Sequence, residues 1–404
     1  MEQLIETGDR LIRLVNRNFI RALYESINWN TRLIEIKGSR GVGKTTLMLQ
    51  KAQELQKQGE HVLYVSLDNA YFFRHQLIEL ADWYYKNGGK FLFIDEVHKY
   101  PQKEKGLDWS LEIKNIYDSY PDLYLIYSGS SILQLYTGAG DLSRRKVSYR
   151  LPGLSFREYL LLNEELNIMP QSFVSVLQNH GDLAAEITTQ IKIIPLFNDY
   201  LKFGYYPFYT EGLENYYQRI NEVTNVILET DIPSVTDINF ETSLRLKRLL
   251  VLLTGSAPYA PNLSKLSEQL FISDYRTLLK YLNYLAKAEL INILSAKAIG
   301  NQIMNKPDKI FFDNTNSMYA FSENNINVGT LRETFLFNQL KNDHTLTYPK
   351  YGDFIIDGKY TLEVGGKSKT KKQIAETENA YIAMDNVESG FGNQIPLWLF
   401  GFLY

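Results

Sequence analysis

The sequence predicts an α/β chain whose amino-terminal core carries a largely parallel sheet, followed by a helical segment, a winged helix-turn-helix and a small α/β end domain. Three observations lead there. Short apolar runs begin near residues 33, 62, 91 and 124 with helical patterns between them, the alternation that builds parallel strands. From residue 155 the pattern turns to helices with short polar breaks. The length, 404 residues, exceeds what one core usually holds. The expected boundaries are 1–154 for the core with its amino-terminal helix, 155–245 for the helical segment, 246–321 for the winged helix and 322–404 for the end domain.

Taken in order, DRLIRLVNRNFIRALYESIN (9–28) reads as an amphipathic helix or a bent pair of helices, with Arg10, Arg13, Arg17 and Arg21 on its other face. That face is either solvated or a contact with a phosphate, another domain or another subunit. A strand over 33–37 leads into a glycine-rich turn and a helix reaching about Gln58, and HVLYVSLDN, FLFIDEVHKYP and DLYLIYSGSS supply the next three strands. The helical segment contains LSFREYLLLNEELN, KFGYYPFY and LENYYQRINEVTNVILETD. LSKLSEQL, a three-residue turn, DYRTLLKYLNYLAKAE and an apolar strand follow in winged-helix order. The tail offers one helix, VGTLRETFLFNQLKN, and short strands.

Composition narrows the chemistry. With no cysteine, disulfides, thiolate nucleophiles and cysteine-ligated metals are excluded. The 43 Lys and Arg against 46 Asp and Glu leave a net charge of -3, so the molecule as a whole does not attract nucleic acid. The opening residues lack a secretory apolar region and no run is long enough to span a bilayer, so the expected location is cytoplasmic, with no membrane partner.

The strongest signal is Gly38-Ser39-Arg40-Gly41-Val42-Gly43-Lys44-Thr45, followed by Thr46, which fits G-x-x-x-x-G-K-T between a strand and a helix. Successive backbone amides and the helix N-terminus can converge there on nucleotide phosphates, with Lys44 reaching the β- and γ-phosphates and Thr45 ligating Mg²⁺. A buried strand ending in Asp95-Glu96 has little structural reason to exist, because buried charge is expensive unless it is paired or metal-bound. Asp95 is expected to hold the Mg²⁺ water shell and Glu96 to orient the attacking water. Ser128 or Ser130 either senses the γ-phosphate or caps a helix. Arg144 and Arg145 are either a surface pair or fingers that neutralise phosphoryl charge in their own or a neighbouring subunit. His98 is expected in a hydrogen-bonding or helix-start role.

Together GSRGVGKTT, LFIDEVHKYP, LEIKNIYDSYPDL, YSGSS, LPGLSFREYL and KFGYYPFY resemble the AAA-type archaeal and bacterial P-loop ATPases whose carboxyl half is a domain of unknown function. The resemblance covers nearly the whole chain. It implies ATP and Mg²⁺ as cofactors, a P-loop NTPase (AAA-like) core, a winged helix and an end domain similar to the restriction-endonuclease fold. It also implies a sensor hydroxyl at Ser128 or Ser130 and a finger at Arg144 or Arg145.

A working nuclease of that end fold needs D…(D/E)-x-K. Glu333, Asp353 and Glu363 are present, but position 365 is Gly and the nearest lysines, Lys367 and Lys359, are displaced, so a degenerate scaffold is expected. Lys367, Lys369, Lys371 and Lys372, with Arg276, Lys280 and Lys287 on the presumed recognition helix, admit backbone contacts to DNA, although protein packing is the default. The resulting expectation is Mg-dependent ATP hydrolysis that drives a switch or remodels an unknown protein partner, with self-association open. The rivals are an ATP-regulated nucleic-acid binder or nuclease, and an ATP-binding interaction module with negligible turnover.

Overall fold

The computed structural model describes residues 1–101, 108–132, 140–164, 166–236, 238–254, 262–296, 306–322, 326–367 and 377–404. They divide into two compact units, Met1–Pro152 with Glu229–Ile238, and Gly153–Leu228 with Asn239–Tyr404.

In the first unit, helix α1 (Glu2–Leu14) starts earlier than the arginine pattern suggests, and the one-turn α2 (Leu23–Ser26) follows after a break. The break has a local cause. Val15 is extended, and Asn16 Oδ1 accepts from the Asn18 amide at 2.7 Å, a turn that competes with helix propagation. Then come β1 (Leu33–Gly38), α3 (Lys44–Lys57), β2 (Val62–Ser66), α4 (Leu77–Lys86), β3 (Phe91–Asp95), α5 (Trp109–Ser119), β4 (Tyr124–Ser130) and β5 (Val147–Arg150).

The strands form one parallel sheet in the order β2-β3-β4-β1-β5. All five residues of β3 are buried, as expected of an interior parallel strand covered on both faces. β5 was not foreseen, because an edge strand with two exposed residues carries no continuous apolar run. On one face Leu63, Val65, Leu92, Ile94, Leu125 and Tyr127 pack with Leu77, Leu80, Ala81, Ile113 and Ile116 of α4 and α5. At roughly 1.5–3 kcal/mol for each large apolar side chain fully buried, this layer is a major stabiliser of α4 and α5 on the sheet. The register pairs Gly38 with Ser130 and Ser66 with Asp95, so the carboxyl ends of β1, β4 and β3 lie along one edge, where open α/β sheets bind ligands.

The second unit begins with α6 (Phe156–Glu164), α7 (Phe173–Thr188), α8 (Ile193–Phe203) and α9 (Tyr216–Val226). After one π-helical turn, Ile227–Asp231, the short α10 (Ile232–Val235) lies in the stretch that belongs with the first unit. The second unit resumes with α11 (Phe240–Thr254), α12 (Leu263–Gln269), α13 (Tyr275–Lys287) and the antiparallel pair β6 (Ile291–Leu294) and β7 (Lys309–Phe312). Asn262 and Asp274 cap α12 and α13 by accepting from the Lys265 and Arg276 amides, which fixes the turn between them. Helices α14 (Thr315–Phe321) and α15 (Val328–Leu340) precede β8 (Leu346–Thr347), β9 (Phe354–Ile356), β10 (Tyr360–Gly365), β11 (Ala380–Met384) and β12 (Gln394–Pro396), a mixed sheet in sequential order.

The GYYP segment is structural. Buried Asn316 Oδ1 accepts from the Tyr205 amide at 2.8 Å and from Tyr216 Oη at 2.5 Å, while its Nδ2 donates to Leu201 O at 2.9 Å. Among the described residues no helix is long and apolar enough to cross a membrane.

Candidate active site

The loop from Gly38 to Gly43 turns on two left-handed residues, Gly41 (φ 88°) and Gly43 (φ 97°), conformations that side-chain-bearing residues rarely adopt. Helix α3 starts directly afterwards at Lys44. Buried Lys44 Nζ donates to Gly38 O and Ser39 O, each at 2.9 Å, so its ammonium sits inside the loop. Arg21 supports the loop by donating to Val42 O at 2.7 Å and Pro152 O at 2.8 Å, and Arg17 pairs with Glu54 at 2.9 Å. These two arginines of the basic amino-terminal face therefore make contacts within the unit. The role of Arg21 could have been sought in the sequence only as one of four similar arginines.

Asp95 is 1% exposed and fully engaged. Its Oδ2 accepts from Thr45 Oγ1 at 2.6 Å and Tyr64 Oη at 2.7 Å, while its Oδ1 accepts from the Glu96 amide at 3.0 Å and from Ser128 Oγ. Four donors match the lone pairs of one carboxylate, which explains how it tolerates burial. Burial and the adjacent Asp95 charge push the Tyr64 hydroxyl well above its ordinary value, keeping it a donor. Tyr64 carries no motif signal, since a tyrosine in an apolar strand reads as core.

Glu96 stands in the left-handed region (φ 53°), an uncommon conformation for a non-glycine residue, and its side chain is 22% exposed. Arg40 Nη2 is 3.6 Å and His98 Nε2 3.3 Å from Glu96 Oε2. Asp231, outside any motif, gathers the same groups. Arg40 donates to both of its oxygens at 3.3 Å, Lys99 Nζ approaches to 2.5 Å, and His98 Nε2 lies 3.7 Å away. Burial alone would raise the Asp231 carboxyl, but His98, Lys99 and Arg40 outweigh it and hold it well below the usual carboxylate range.

The remaining expected residues divide. Ser128 is spent on Asp95, and the Ser130 amide donates to His98 Nδ1 at 3.5 Å, which leaves the Nε2 edge of the ring for the carboxylates. Val42 is buried in the loop and Thr46 follows Thr45 in the first turn of α3. Arg144 and Arg145 are not at this edge. They precede β5, whose Val147 pairs with Ile34, and four strand steps of about 3.3 Å separate that level from Gly38. Arg145 is a fork on Asp118, both bonds 2.9 Å, and Arg144 is exposed.

The site has the donors that Mg²⁺ and a polyphosphate require. Thr45 and Asp95 offer hard oxygens, and the buried hydroxyls of Ser39 and Ser131, at the carboxyl ends of β1 and β4, have no hydrogen-bond partner among the described residues. No group of three or more Asp, Glu or His among the described residues could hold a metal by itself. That suits Mg²⁺, which normally takes one or two carboxylates plus substrate phosphates.

In the second unit Glu333 and Asp353 meet on a lysine that no linear motif announces. Lys309 Nζ lies 2.8 Å from Glu333 Oε2 and 3.3 Å from Asp353 Oδ1. Burial and the nearby charges of Asp353 and Glu363 push Glu333 up to about 7, against the pull of Lys309. Between its ordinary 4.5 and about 7, the folded chain holds a proton that the unfolded chain has released, so stability falls as pH rises through that window. Glu333→Gln should flatten the dependence of Tm on pH from about 5 to 8, by a few degrees for about 1 kcal/mol. Equal slopes in both proteins would contradict the coupling. On α13, Arg276 and Lys280 are exposed and Lys287 is half-buried, while Lys367 is exposed and Lys369, Lys371 and Lys372 lie outside the described residues.

Residues 30–160 match a family model described as an AAA domain, which runs from just before β1 into α6. Comparison with curated proteins gives no match. Among solved structures, the Walker-type ATPase of Pyrococcus abyssi is 14% identical with a TM-score of 0.40, covering 77% of this chain and 99% of its own. AMPPCP-bound DnaA from Aquifex aeolicus is 19% identical with a TM-score of 0.29, covering 68% and 93%. The Aeropyrum pernix ORC1 protein in complex with DNA is 12% identical with a TM-score of 0.30, covering 80% and 92%.

Proposed function

We propose that this chain is a cytoplasmic ATPase that binds ATP with Mg²⁺ and hydrolyses it. The observation that carries the reading is Asp95 bonded to Thr45 at 2.6 Å beside a loop with Lys44 folded inside it. Gly38, Ser39, Arg40, Gly41, Val42, Gly43, Lys44, Thr45 and Thr46 form the phosphate-binding segment; Thr45 would ligate Mg²⁺, with Asp95 behind it bonded to Thr45 and placed to hold the metal's water shell. The metal would supply Lewis-acid stabilisation of phosphoryl charge. Lys44 turns from its carbonyl partners toward those phosphates and stabilises the charge that develops on transfer. Glu96, the only group of the pair not saturated by donors from the sheet, orients the water and takes up its proton. Ser128 fixes Asp95 and so acts behind the metal, while Ser130 acts through His98.

The use of the energy is read as switching or remodelling. The stretch 229–238, which belongs with the phosphate-loop unit, is continuous in sequence with the second unit at both ends, so movement of its side chains has a covalent path outward. In the second unit we read the helical segment, the winged helix after 245 and a degenerate restriction-endonuclease-like domain after 321. Arg144, exposed and away from its own loop, is the candidate finger for a neighbouring copy.

Gly at position 365, where the motif requires its lysine, favours a non-cleaving end domain, and Lys309 comes from β7 rather than from the strand after Glu363. Purified chain with Mg²⁺ or Mn²⁺, with and without ATP, is expected to leave single- and double-stranded DNA uncut. Cleavage lost in both Asp353→Ala and Glu363→Ala would reverse that reading. The ATPase reading itself is tested by ADP formation in Mg-ATP against the same sample in EDTA: metal-dependent ADP supports it, and equal background in both sinks it.

A further inference from the structure

Asp231 lies in the stretch 229–238, which returns to the phosphate-loop unit after the helices of the second. Its own helix makes no use of its side chain, since the carboxylate does not cap α10. The side chain is fully buried and is committed to three groups from two other segments: Arg40 of the phosphate loop, and His98 and Lys99 just after β3.

Glu96 competes for two of these. Its Oε2 lies 3.6 Å from Arg40 Nη2 and 3.3 Å from His98 Nε2, against 3.3 Å from Arg40 and 3.7 Å from His98 to Asp231. The buried anion has the advantage, because charge-assisted bonds strengthen where water is excluded, and Glu96 remains partly open to solvent. A carboxylate that orients water must keep a lone pair uncommitted. A guanidinium forked onto it occupies that lone pair.

We propose that Asp231 is a positioning residue for hydrolysis: it draws Arg40 away from Glu96 and so leaves that carboxylate free to act on water. The inference rests on the ATPase reading above. Without the Asp231 charge, Arg40 retains Glu96 as its neighbouring anion, and the guanidinium closes onto it. A merely structural anion would instead matter equally whether or not Arg40 is present.

The test uses the full chain and reads single-turnover phosphate release and equilibrium ATP binding separately. Asp231→Asn is expected to slow release roughly 10-fold or more while ATP Kd stays within about threefold, because the loss lies in the chemical step rather than in binding. Arg40→Gln/Asp231→Asn should release phosphate no more slowly than Arg40→Gln alone, since the cation that closes on Glu96 is gone. Wild-type release by a folded Asp231→Asn protein would overturn the inference. So would a double variant as far below Arg40→Gln as Asp231→Asn is below wild type. Should Asp231→Asn fail to fold, the comparison within the Arg40→Gln background decides alone. A wild-type chain that neither binds nor hydrolyses ATP removes the ATPase reading itself. Wild-type hydrolysis with Asp231→Asn unaffected removes only this inference.

Discussion

Lys44→Ala is expected to abolish ATP turnover and weaken ATP binding by about 10- to 100-fold, the scale of one lost charge-assisted contact of roughly 1.5–3 kcal/mol. The ammonium sits within the loop, bonded to Gly38 O and Ser39 O, so the substitution also loosens the loop locally. Global unfolding is not expected. The layer of β2, β3 and β4 against α4 and α5 does not include Lys44, and alanine is the best helix former for the first turn of α3. Circular dichroism, calorimetric titration with ATP and phosphate release give the three readings. A folded variant with unchanged affinity and release would remove Lys44 from the site.

Glu96→Gln should separate binding from chemistry. Glutamine keeps the shape and leaves the amide bond to Asp95 in place, yet it cannot take a proton from water. Turnover should drop by about 10²–10⁴-fold, the usual contribution of a positioned base, with ATP affinity changed by less than about threefold. Near-normal steady-state turnover would move the role to another group. Asp95→Asn is a less selective probe: it should weaken the Mg²⁺ dependence, but it also disturbs four donors around a buried carboxylate.

The phosphate loop and the β3 terminus were legible because their chemistry is local. Glycines at left-handed positions, a lysine directly after the second of them and a carboxylate at the end of a buried strand are all fixed by spacing along the chain. Asp231 was not legible, since it reaches Arg40 from 191 residues away and lies in a helical stretch resembling any other. Lys309 was hidden for the same reason: it lies on β7, upstream of Glu333 and Asp353, and no spacing along the chain links it to either carboxylate. Arg144 and Arg145 show the converse. They follow β4 in sequence, but they directly precede β5, whose Val147 pairs with Ile34 near the amino end of β1, so proximity to the serines along the chain did not become proximity in space. β5 lacked a periodic signal because an edge strand needs only one apolar face.

The central claim, that Glu96 acts on water at a Mg-ATP site built by Lys44, Thr45 and Asp95, is tested most directly by trapping. ATP is bound to wild type and to Glu96→Gln in EDTA, excess Mg²⁺ is added, and the ADP-to-ATP ratio on the protein is read over time after an acid quench. The account predicts that wild type converts its bound ATP to ADP while Glu96→Gln retains ATP through the same interval. Equal conversion in both proteins, or no metal-dependent conversion in wild type, would contradict it.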